Sequence, residues 1–368
     1  MAGARTLFAP LGMCCRKKAM ARLMLRRPKI RMSDSYEVGE VLGRGAFGIV
    51  SAARGRHCGR EYALKVVDAP SRLDLVLLDS ESEIHSEMDH PHITRVYEVF
   101  TEKWQFTFVM EMCYGGDLAH ALQRNSGVFS NGEARHVFKQ VMQAVSYMHC
   151  QGVAHRDLKL DNLLVKEHQA PLSQSTIKLI DFGLAGRFTA GEASFKTICG
   201  TPDCMAPEIF RGRPYSEKCD VWSCGVILYM ILSGEAPFFG KSLDELIRNL
   251  RTPISFQSDA WESVAEDARS LIRHTCCKQI VARLSAQQVL ADAWLQASEV
   301  EEKDLSQELF ARAESSGDPA SQTSAQGVTQ LWKDGQLREV HGTPRKLGSL
   351  CNGERSEEAL LPAFVGGA

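Results

Sequence analysis

Two stretches in the first part of this chain carry groups that could bind phosphate. Three glycines follow the pattern Gly43-x-Gly45-x-x-Gly48, and Lys65 comes next within an apolar stretch. Glycine has no Cβ, so a glycine-rich turn can bring backbone N–H groups close to phosphate oxygens. A lysine in an apolar stretch is costly to bury unless it meets anionic oxygens. The pattern therefore favours a phosphate-binding turn followed by a phosphate-binding ammonium group.

The middle of the chain carries groups suited to moving a phosphoryl group. Asp157 is followed by Lys159 and Asn162, and Asp181 follows an apolar run. A carboxylate can orient a hydroxyl and accept its proton, and an ammonium group can neutralise charge on a transferred phosphoryl group. Carboxylate and amide oxygens are suitable ligands for Mg²⁺.

These residues lie in short motifs whose order resembles that of the eukaryotic protein kinase family. The motifs are Gly43-x-Gly45-x-x-Gly48-x-Val50, Ala63-Leu64-Lys65, His155-Arg156-Asp157-Leu158-Lys159-x-Asp161-Asn162, Asp181-Phe182-Gly183 and Ala206-Pro207-Glu208. The resemblance covers roughly Ser35 to Leu295 and is greatest to the calcium/calmodulin-dependent and calcium-dependent kinases of Ser/Thr type. It implies an α+β, bilobal fold with a small β-rich N-lobe containing one helix and a larger, mainly helical C-lobe.

The periodicity of apolar residues agrees with that fold. Strand-like stretches are Glu37–Leu42, Ile49–Ala53, Glu61–Val67, Tyr97–Thr101 and Phe106–Met112, and helical ones are Leu75–Met88, Ala134–His149 and Asp220–Leu232. We expect the last helix to be buried in the large lobe, because it is too short to span a bilayer.

The resemblance assigns a role to each catalytic candidate. Asp157 is implied to orient the substrate hydroxyl and accept its proton, and Lys159 to lie near the transferred group, as is typical of Ser/Thr kinases. Asn162 and Asp181 are the implied Mg²⁺ ligands. The implied cofactors are ATP and Mg²⁺, and the implied partners are protein substrates with Ser or Thr.

Lys65 is implied to pair with a carboxylate of the helix that follows it. Glu81 matches the family's spacing, whereas we expect Glu83 and Glu87 to be solvated helix charges. His85 occupies a position where the family usually has an apolar residue packed toward the phenylalanine of Asp-Phe-Gly. A protonatable residue there leaves the packing of the active state open and could make it sensitive to pH.

The ATP site is implied to include residues from both lobes. Besides Lys65, Glu81 and Asp181, its implied members are Leu42, Gly43, Gly45, Gly48, Val50, Ala63, Glu111, Cys113, Asp117 and Leu163. Met110 is the implied gatekeeper beside the adenine. Cys113 is interpreted as a buried, inert thiol.

The segment between Gly183 and Ala206 has the length of an activation loop. Thr197 is the expected phosphorylation site, with Arg156 receiving the phosphate and an upstream kinase adding it. Ser194 is the weaker candidate, and Thr201 is expected to hydrogen-bond the catalytic loop. Cys204 replaces a tyrosine common in this stretch and could loosen the substrate-docking surface.

Acidic residues near the substrate site favour basic substrates. Asp117 and Asp161 stand where related kinases contact an arginine upstream of the target residue. Calcium control is not supported by the sequence, because it contains no EF-hand loop and its acidic C-terminal region is unlike a calmodulin target.

Three further residues are interpreted as structural. His155 is expected to be packed, Asp220 to hold the backbone of the catalytic loop, and Arg283 to pair with Glu208. The main alternative function is a non-catalytic scaffold, although the lysine and both essential aspartates are present. A nucleotide-binding oxidoreductase is disfavoured, because a strand rather than a helix follows the glycines.

Composition excludes several other classes. The net charge of −2 gives no general attraction to nucleic acid, and the 12 cysteines include no zinc-binding spacing. No secretory signal or apolar run of about 20 residues occurs. A cytoplasmic location is therefore expected.

The chain is predicted to have three parts: 1–34, 35–296 and 297–368. The first is a basic extension with nine Lys/Arg and no acidic residue before residue 34. It remains open whether this extension is a disordered tail, an organelle-targeting peptide or a basic amphipathic helix on an anionic membrane, with Cys14 and Cys15 as palmitoylation candidates. The second part is the kinase domain, and the third is a low-complexity tail expected to be mostly disordered.

Overall fold

The computed structural model describes residues 31–45, 48–102 and 104–297. The predictions for the basic extension before residue 31 and for the tail after residue 297 lie outside these residues.

The N-terminal part is an antiparallel sheet of five strands in the order β1-β2-β3-β5-β4. The strands are β1 (Tyr36–Gly45), β2 (Gly48–Gly55), β3 (Glu61–Asp68), β4 (Val96–Glu102) and β5 (Gln105–Met110). Leu64, Phe108 and Val109 are almost fully buried at its centre. The predicted strand Phe106–Met112 ends at Met110, because the chain then leaves the sheet and the N–H of Gly115 bonds the carbonyl of Val165.

Two helices accompany this sheet, α1 (Met32–Ser35) and α2 (Arg72–Glu87). Helix α2 begins three residues before the predicted Leu75. Ser71 and Asp74 form a capping box that satisfies the first free N–H groups, and this local bonding starts the helix earlier than the apolar pattern indicates.

The C-terminal part is mainly helical. Its helices are α3 (Leu118–Arg124), α4 (Asn131–Cys150), α5 (Pro207–Phe210), α6 (Lys218–Ser233), α7 (Leu243–Asn249), α8 (Glu266–Thr275), α9 (Ala286–Leu290) and α10 (Ala293–Gln296). Single 3₁₀ turns occur at Leu160–Asn162, Leu172–Gln174, Pro202–Cys204 and Asp259–Trp261. The bilobal α+β prediction is confirmed.

Helix α6 forms the centre of the large lobe. All but its first residue are buried, which explains why the sequence reads as a continuous apolar run. The helix ends at Gly234, whose φ of 73° is the left-handed conformation that glycine adopts at helix ends. Among the described residues, no helix is long and apolar enough to cross a membrane.

Two short antiparallel ladders support the loops that carry the catalytic candidates. One pairs β6 (Val153–Ala154) with β9 (Gly186–Arg187), and the other pairs β7 (Leu163–Val165) with β8 (Ile177–Leu179). The catalytic loop runs from β6 to β7, and the Asp-Phe-Gly segment runs from β8 to β9.

Candidate active site

Lys65 lies at the meeting point of three elements. Its Nζ is 2.8 Å from Glu81 Oε1 and 2.9 Å from Asp181 Oδ1. Lys65 comes from β3, Glu81 from α2 and Asp181 from the segment after β8. The structure therefore brings together the predicted lysine, helix carboxylate and metal-binding carboxylate.

Within this group, Lys65 and Asp181 each stabilise the charged form of the other. Burial alone lowers the pKa of Lys65, but the carboxylates of Glu81 and Asp181 outweigh burial and raise it. Burial alone raises the pKa of Asp181, and the ammonium of Lys65 outweighs it and keeps the pKa below its usual range. Burial raises the pKa of Glu81 against the attraction of Lys65, so Glu81 is protonated before Asp181 on acidification.

The ladder of β7 with β8 places the two candidate metal ligands side by side. Leu163 pairs with Leu179, and the N–H of Ile180 donates to the carbonyl of Asn162 at 3.0 Å. Asn162 Nδ2 donates to the carbonyl of Asp157 at 2.8 Å, which leaves Oδ1 as the amide atom able to serve a cation. Asp181 has a φ of 65°, a left-handed conformation that is uncommon for non-glycine residues and recurs at active sites.

Asp157 is held in place by Thr201 and Lys159. Its Oδ1 accepts hydrogen bonds from the N–H of Thr201 at 2.9 Å and from its hydroxyl at 2.7 Å. Lys159 Nζ lies 3.3 Å from Asp157 Oδ2 and donates to Thr201 Oγ1 at 3.1 Å. The predicted contact of Thr201 with the catalytic loop is present.

Asp220 of helix α6 binds the backbone of the catalytic loop. Its carboxylate accepts the N–H groups of His155 and Arg156, each at 2.8 Å, and Nε2 of His149 at 2.9 Å. Burial raises its pKa, but these donors, His149 first, keep the pKa below its usual range. Arg156 has a φ of 66°, so the loop adopts a strained turn that the buried carboxylate stabilises.

His85 packs where the family usually has an apolar side chain. Its ring is stacked on Phe182 with centroids 4.3 Å apart, and its Nε2 lies 2.8 Å from the carbonyl of Thr94. Burial, with a smaller contribution from Lys65, lowers the pKa of His85 to about 4. The ring is therefore neutral at physiological pH and donates its Nε2–H to Thr94, so it serves as a packing group.

The glycines form the turn between β1 and β2. Gly43 pairs with Val50, and Gly45 pairs with Gly48. Gly48 has a φ of 114°, and a Cβ there would stand 2.1 Å from the carbonyl oxygen of Val66, so another residue would not fit. Within the described part of the chain, no atom lies within 4 Å of a Cβ placed on Gly43 or Gly45, which leaves their backbone open to a ligand.

The expected adenine-binding residues come from both lobes. Ala63 on β3 pairs with Met110 on β5, and both are buried. Val50 pairs with Lys65 on the neighbouring strand, and Leu163, fully buried, opens β7. Leu42, on β1, is 48% exposed.

The chain between the lobes carries Glu111 and Cys113. The side chain of Glu111 lies 2.7 Å from Nζ of Lys178 and 3.1 Å from Nζ of Lys166, so it ties this linker to the C-terminal lobe. This contact was not predicted, because nothing in the sequence around Lys178 on β8 marks it as a partner. Cys113 is half-buried rather than fully buried, and this burial raises its pKa to about 12, as expected for an unreactive thiol.

Asp117 caps the start of helix α3. Its carboxylate accepts the N–H of His120 at 2.8 Å and lies 2.7 Å from the ring nitrogen Nδ1 of His120. The side chain therefore caps the helix and keeps one face toward solvent, at 22% exposure. Asp161, the second acidic candidate, is exposed.

The activation segment is pinned to the large lobe at Phe195. The backbones of Phe195 and Tyr215 exchange two hydrogen bonds, and the hydroxyl of Tyr215 donates to the carbonyl of Thr197 at 2.7 Å. Arg156 donates to the carbonyl of Leu184 at 2.7 Å, and its guanidinium lies 4.5 Å from the centroid of the Phe195 ring. Arg156 and Thr197 make no hydrogen bond with each other in the described part of the chain.

One expectation about this region changes. The prediction that Glu87 is only a solvated charge is wrong, because its Oε2 lies 2.8 Å from Arg187 on β9. Cys204 is buried, and its carbonyl accepts a hydrogen bond from Ser223 of α6 at 2.8 Å. The thiol thus belongs to the packed base of the segment, and burial raises its pKa to about 12.

Comparison with known proteins agrees with this geometry. Residues 36–295 match the protein kinase domain family. The chain is 31% identical over 345 residues to serine/threonine-protein kinase 33 of Bos taurus, a match that covers 90% of this chain and 71% of that protein. It is 34% identical over 285 residues to calcium/calmodulin-dependent protein kinase type 1B of Rattus norvegicus (77% of this chain, 81% of that protein).

A third relative is matched over a smaller share of its length. Calcium-dependent protein kinase 5 of Plasmodium falciparum (isolate 3D7) is 35% identical over 265 residues, which are 72% of this chain but only 46% of that protein. The chain thus spans less than half of this relative.

The chain belongs to the protein kinase family. Within it, the chain is a protein serine/threonine kinase, and the predicted family, fold class and enzyme class are confirmed.

The residues present suit the nucleotide and the metal that a protein kinase domain implies. The open glycine turn and Lys65 offer donors to phosphates, and Asp181 with Asn162 offers a carboxylate and an amide oxygen. Among the described residues, no group of three or more His, Cys, Asp or Glu could hold a metal by itself. A site with two protein ligands is typical of Mg²⁺, which keeps its remaining positions for water and substrate phosphates.

Proposed function

We propose that this kinase transfers the γ-phosphate of ATP to Ser or Thr in segments with basic residues before the target, and that phosphorylation of Thr197 by an upstream kinase increases its activity. The observation that carries the proposal is the hydrogen-bonded group of Asp157, Thr201 and Lys159, which Asn162 connects to the backbone of Ile180, the residue before Asp181.

Asp157 serves as the group that receives the substrate hydroxyl. Thr201 occupies Oδ1 with two hydrogen bonds, whereas Oδ2 accepts one longer hydrogen bond, from Asn162 Nδ2 at 3.3 Å. Oδ2 is therefore the oxygen with more room to accept the proton of the substrate hydroxyl. Lys159 lies 3.3 Å from that oxygen and brings a positive charge to the side from which the hydroxyl attacks. Its charge stabilises the negative charge that spreads over the phosphoryl oxygens in the transition state.

Lys65 and the glycine turn position the nucleotide. Glu81 and Asp181 hold the ammonium of Lys65 in one place before phosphate arrives, which reduces the entropy lost when ATP binds. Asp181 and Asn162 would hold Mg²⁺, which would supply charge neutralisation at the phosphates. Val50, Ala63 and Leu163 would then contact the adenine.

The preference for basic substrates follows from two carboxylates near the catalytic loop. Asp161 is exposed four residues after Asp157, and Asp117 keeps part of its carboxylate exposed at the start of α3. A substrate arginine meeting these groups gains charge-assisted hydrogen bonds. Because both carboxylates are in contact with solvent, we expect each of them to contribute only modestly to the preference for basic substrates.

Activation through Thr197 follows from the arginines beside the segment. Arg156 is held against Phe195, and Arg187 is held by Glu87 at the end of α2. A phosphate on Thr197 would add about two negative charges and three acceptors. Its pairing with Arg156 would order the segment, and a pairing with Arg187 would connect the segment to the helix that carries Glu81.

The experiment is transfer of labelled phosphate from ATP with Mg²⁺ to a basic Ser peptide and to a matched peptide whose basic residues are alanine. We expect transfer to the basic peptide only with the intact protein and none with Asp181→Asn. In a variant with Asp117→Asn and Asp161→Asn, the difference in transfer rate between the basic and the alanine peptide should become smaller. Equal rates on both peptides would refute the basic preference without affecting the kinase assignment.

Activation is tested separately with Thr197→Ala and, as a matched control, Ser194→Ala. Incubation with an activating kinase should raise the rate of the wild type and of Ser194→Ala but not of Thr197→Ala. An equal rise in all three proteins would show that Thr197 is not the regulatory site. Absence of transfer from every form would favour a non-catalytic scaffold.

A further inference from the structure

Helix α2 presents three large aliphatic side chains to solvent. Leu73, Val76 and Leu77 are 67%, 65% and 55% exposed, and their spacing of three and four residues places them on one face. An exposed apolar face bordered by charges is typical of an interaction site. We call these three residues the α2 stripe.

The stripe belongs to the helix that orients the catalytic lysine. Further along α2, Glu81 binds Lys65, and Glu87 binds Arg187 of the Asp-Phe-Gly to β9 segment. Whatever binds the stripe therefore acts on a helix already connected to both the nucleotide site and the activation segment.

The charge of α2 favours a cationic occupant. The helix sequence contains five acidic residues and one arginine, and His85 within it is neutral. The acidic side chains include Asp74, Asp79 and Glu83, which are partly exposed. A basic, apolar ligand would match both the stripe and its border.

Residues 16–30 of this same chain have that composition. Their sequence, Arg-Lys-Lys-Ala-Met-Ala-Arg-Leu-Met-Leu-Arg-Arg-Pro-Lys-Ile, contains seven Lys/Arg, no acidic residue and five large aliphatic side chains. The described chain begins immediately after them, at residue 31.

The attachment point of this segment is connected to the start of α2 through Glu102 and Trp104. The N–H of Met32 lies 3.3 Å from the carboxylate of Glu102 at the end of β4. Two residues further on, the carbonyl of Trp104 accepts the N–H of Ala69 at 2.6 Å, and Ala69 stands just before α2. Counting the six Cα steps of 3.8 Å, the Glu102 side chain and the two hydrogen bonds, this path from Met32 to Leu73 is at most about 40 Å long, which about twelve extended residues can span.

We propose that the basic segment 16–30 binds the α2 stripe of its own molecule. Its Leu and Met side chains would cover Leu73, Val76 and Leu77, and its Lys and Arg side chains would lie beside the acidic residues of α2. Bound in this way, the segment would hold α2 in the position that joins Glu81 to Lys65.

The test uses the full chain and two readouts that do not depend on catalysis. One is the rate of tryptic cleavage within residues 16–29, and the other is hydrogen exchange of the α2 amides. The double variant Val76→Lys, Leu77→Lys places like charges against the segment, and its fold should remain intact because both positions are exposed. We expect cleavage to accelerate about tenfold and the α2 amides to exchange faster.

The matched control is Val281→Lys, which adds a lysine at a valine that is 94% exposed in the C-terminal lobe. It should change neither readout. The reciprocal double variant Leu23→Asp, Leu25→Asp should make the α2 amides exchange faster, as the stripe variant does. A protein that carries both double variants should show little further increase in exchange. Unchanged cleavage and exchange in the stripe variant would overturn the proposal.

Two other occupants are distinguished in the same experiment. Protection of α2 that disappears on dilution would assign the stripe to a second copy of the chain and overturn the proposal. Under the proposal, the segment leaves the stripe when it binds vesicles containing phosphatidylserine. These vesicles should therefore make the α2 amides exchange faster. Vesicle binding of equal affinity in the wild type and the stripe variant would instead assign the segment to the membrane and overturn the proposal.

Discussion

His85, on the same helix as Glu81, is stacked on Phe182 with an angle of 23° between the two rings. The contact joins α2 to the Asp-Phe-Gly segment, and His155 meets the other side of Phe182 at 5.2 Å. The stack therefore couples the position of α2 to the orientation of Asp181, one residue before Phe182. It requires a neutral His85, because an imidazolium would be buried close to Lys65.

The stack predicts a pH dependence of stability. The pKa of His85 is about 4 in the folded protein, against 6.5 as the ordinary value. A lowered histidine pKa means that the unfolded chain binds the proton more tightly, so stability is fully present above pH 6.5 and is lost as the pH falls toward 4. The loss attributable to His85 is about 2 kcal/mol at pH 5 and about 3 kcal/mol below pH 4.

The measurement is urea unfolding of the wild type and of His85→Phe between pH 7.5 and 5. Phenylalanine keeps the ring stack and removes the proton-binding group, so the variant should gain stability relative to the wild type as the pH falls. His90 also has a pKa lowered to about 4 by burial, but it is present in both proteins and cancels. Parallel loss of stability in the two proteins would contradict the prediction.

The example of His85 shows what the sequence could and could not decide. Motif spacing placed it correctly beside the phenylalanine of Asp-Phe-Gly, but its protonation state depends on burial and on the carbonyl of Thr94, which is nine residues away in the chain. The contact of Glu87 with Arg187 was missed for a similar reason. It joins residues 100 positions apart, and only the folded arrangement of β9 against α2 brings them together.

Some contacts between residues of the recurring motifs were predictable. The contact of Lys65 with Glu81 follows from motif order, as does the contact of Thr201 with the catalytic loop, whereas the contact of Lys65 with Asp181 was not predicted. The linker contact of Glu111 with Lys178 was not predictable, because a lysine between two apolar residues of a three-residue strand gives no indication of its partner. The start of α2 was misplaced because apolar periodicity does not detect a capping box.

The Lys65–Glu81 pair gives a second prediction. Glu81→Gln leaves a neutral hydrogen-bond partner where a charged one stood, so Lys65 would be held by Asp181 alone. The loss of about 1.5–3 kcal/mol expected for a charged hydrogen bond predicts a fall in kcat of about 10- to 100-fold. Steady-state kinetics with varied ATP measure it, with Glu40→Gln, at an exposed position of β1, as the control. An unchanged kcat would show that the pair is only structural.

Thr201 gives a third prediction, because its hydroxyl and N–H both bind Asp157. Thr201→Ala removes the hydroxyl, which receives Lys159 and donates to Asp157, whereas Thr201→Ser keeps it. We expect kcat to fall about 10- to 100-fold in the alanine variant and to be largely retained in the serine variant. Equal activity of the two variants would mean that the backbone N–H alone positions Asp157.

The buried pair of Arg283 with Glu208 gives a prediction about stability rather than catalysis. Its two guanidinium nitrogens lie 2.6 and 2.9 Å from the two carboxylate oxygens, and Arg283 is 1% exposed. Removing the carboxylate leaves the buried guanidinium without a counter-charge, although the carbonyls of Cys277 and Lys218 still accept from it, and such a loss costs about 3–5 kcal/mol. Glu208→Gln should therefore lower the urea midpoint of unfolding substantially.

The chain offers a matched control for this variant. Glu266 binds Arg273 at 2.7 Å, but this pair is exposed to solvent, so Glu266→Gln should leave the unfolding midpoint unchanged. The same chemical change is thus made in a buried and in an exposed arginine–glutamate pair. If both variants lowered the midpoint equally, burial would not determine the energy of the Glu208 pair. A large effect at Glu208 alone would show that the Ala-Pro-Glu segment is anchored through Arg283 to the loop before α9.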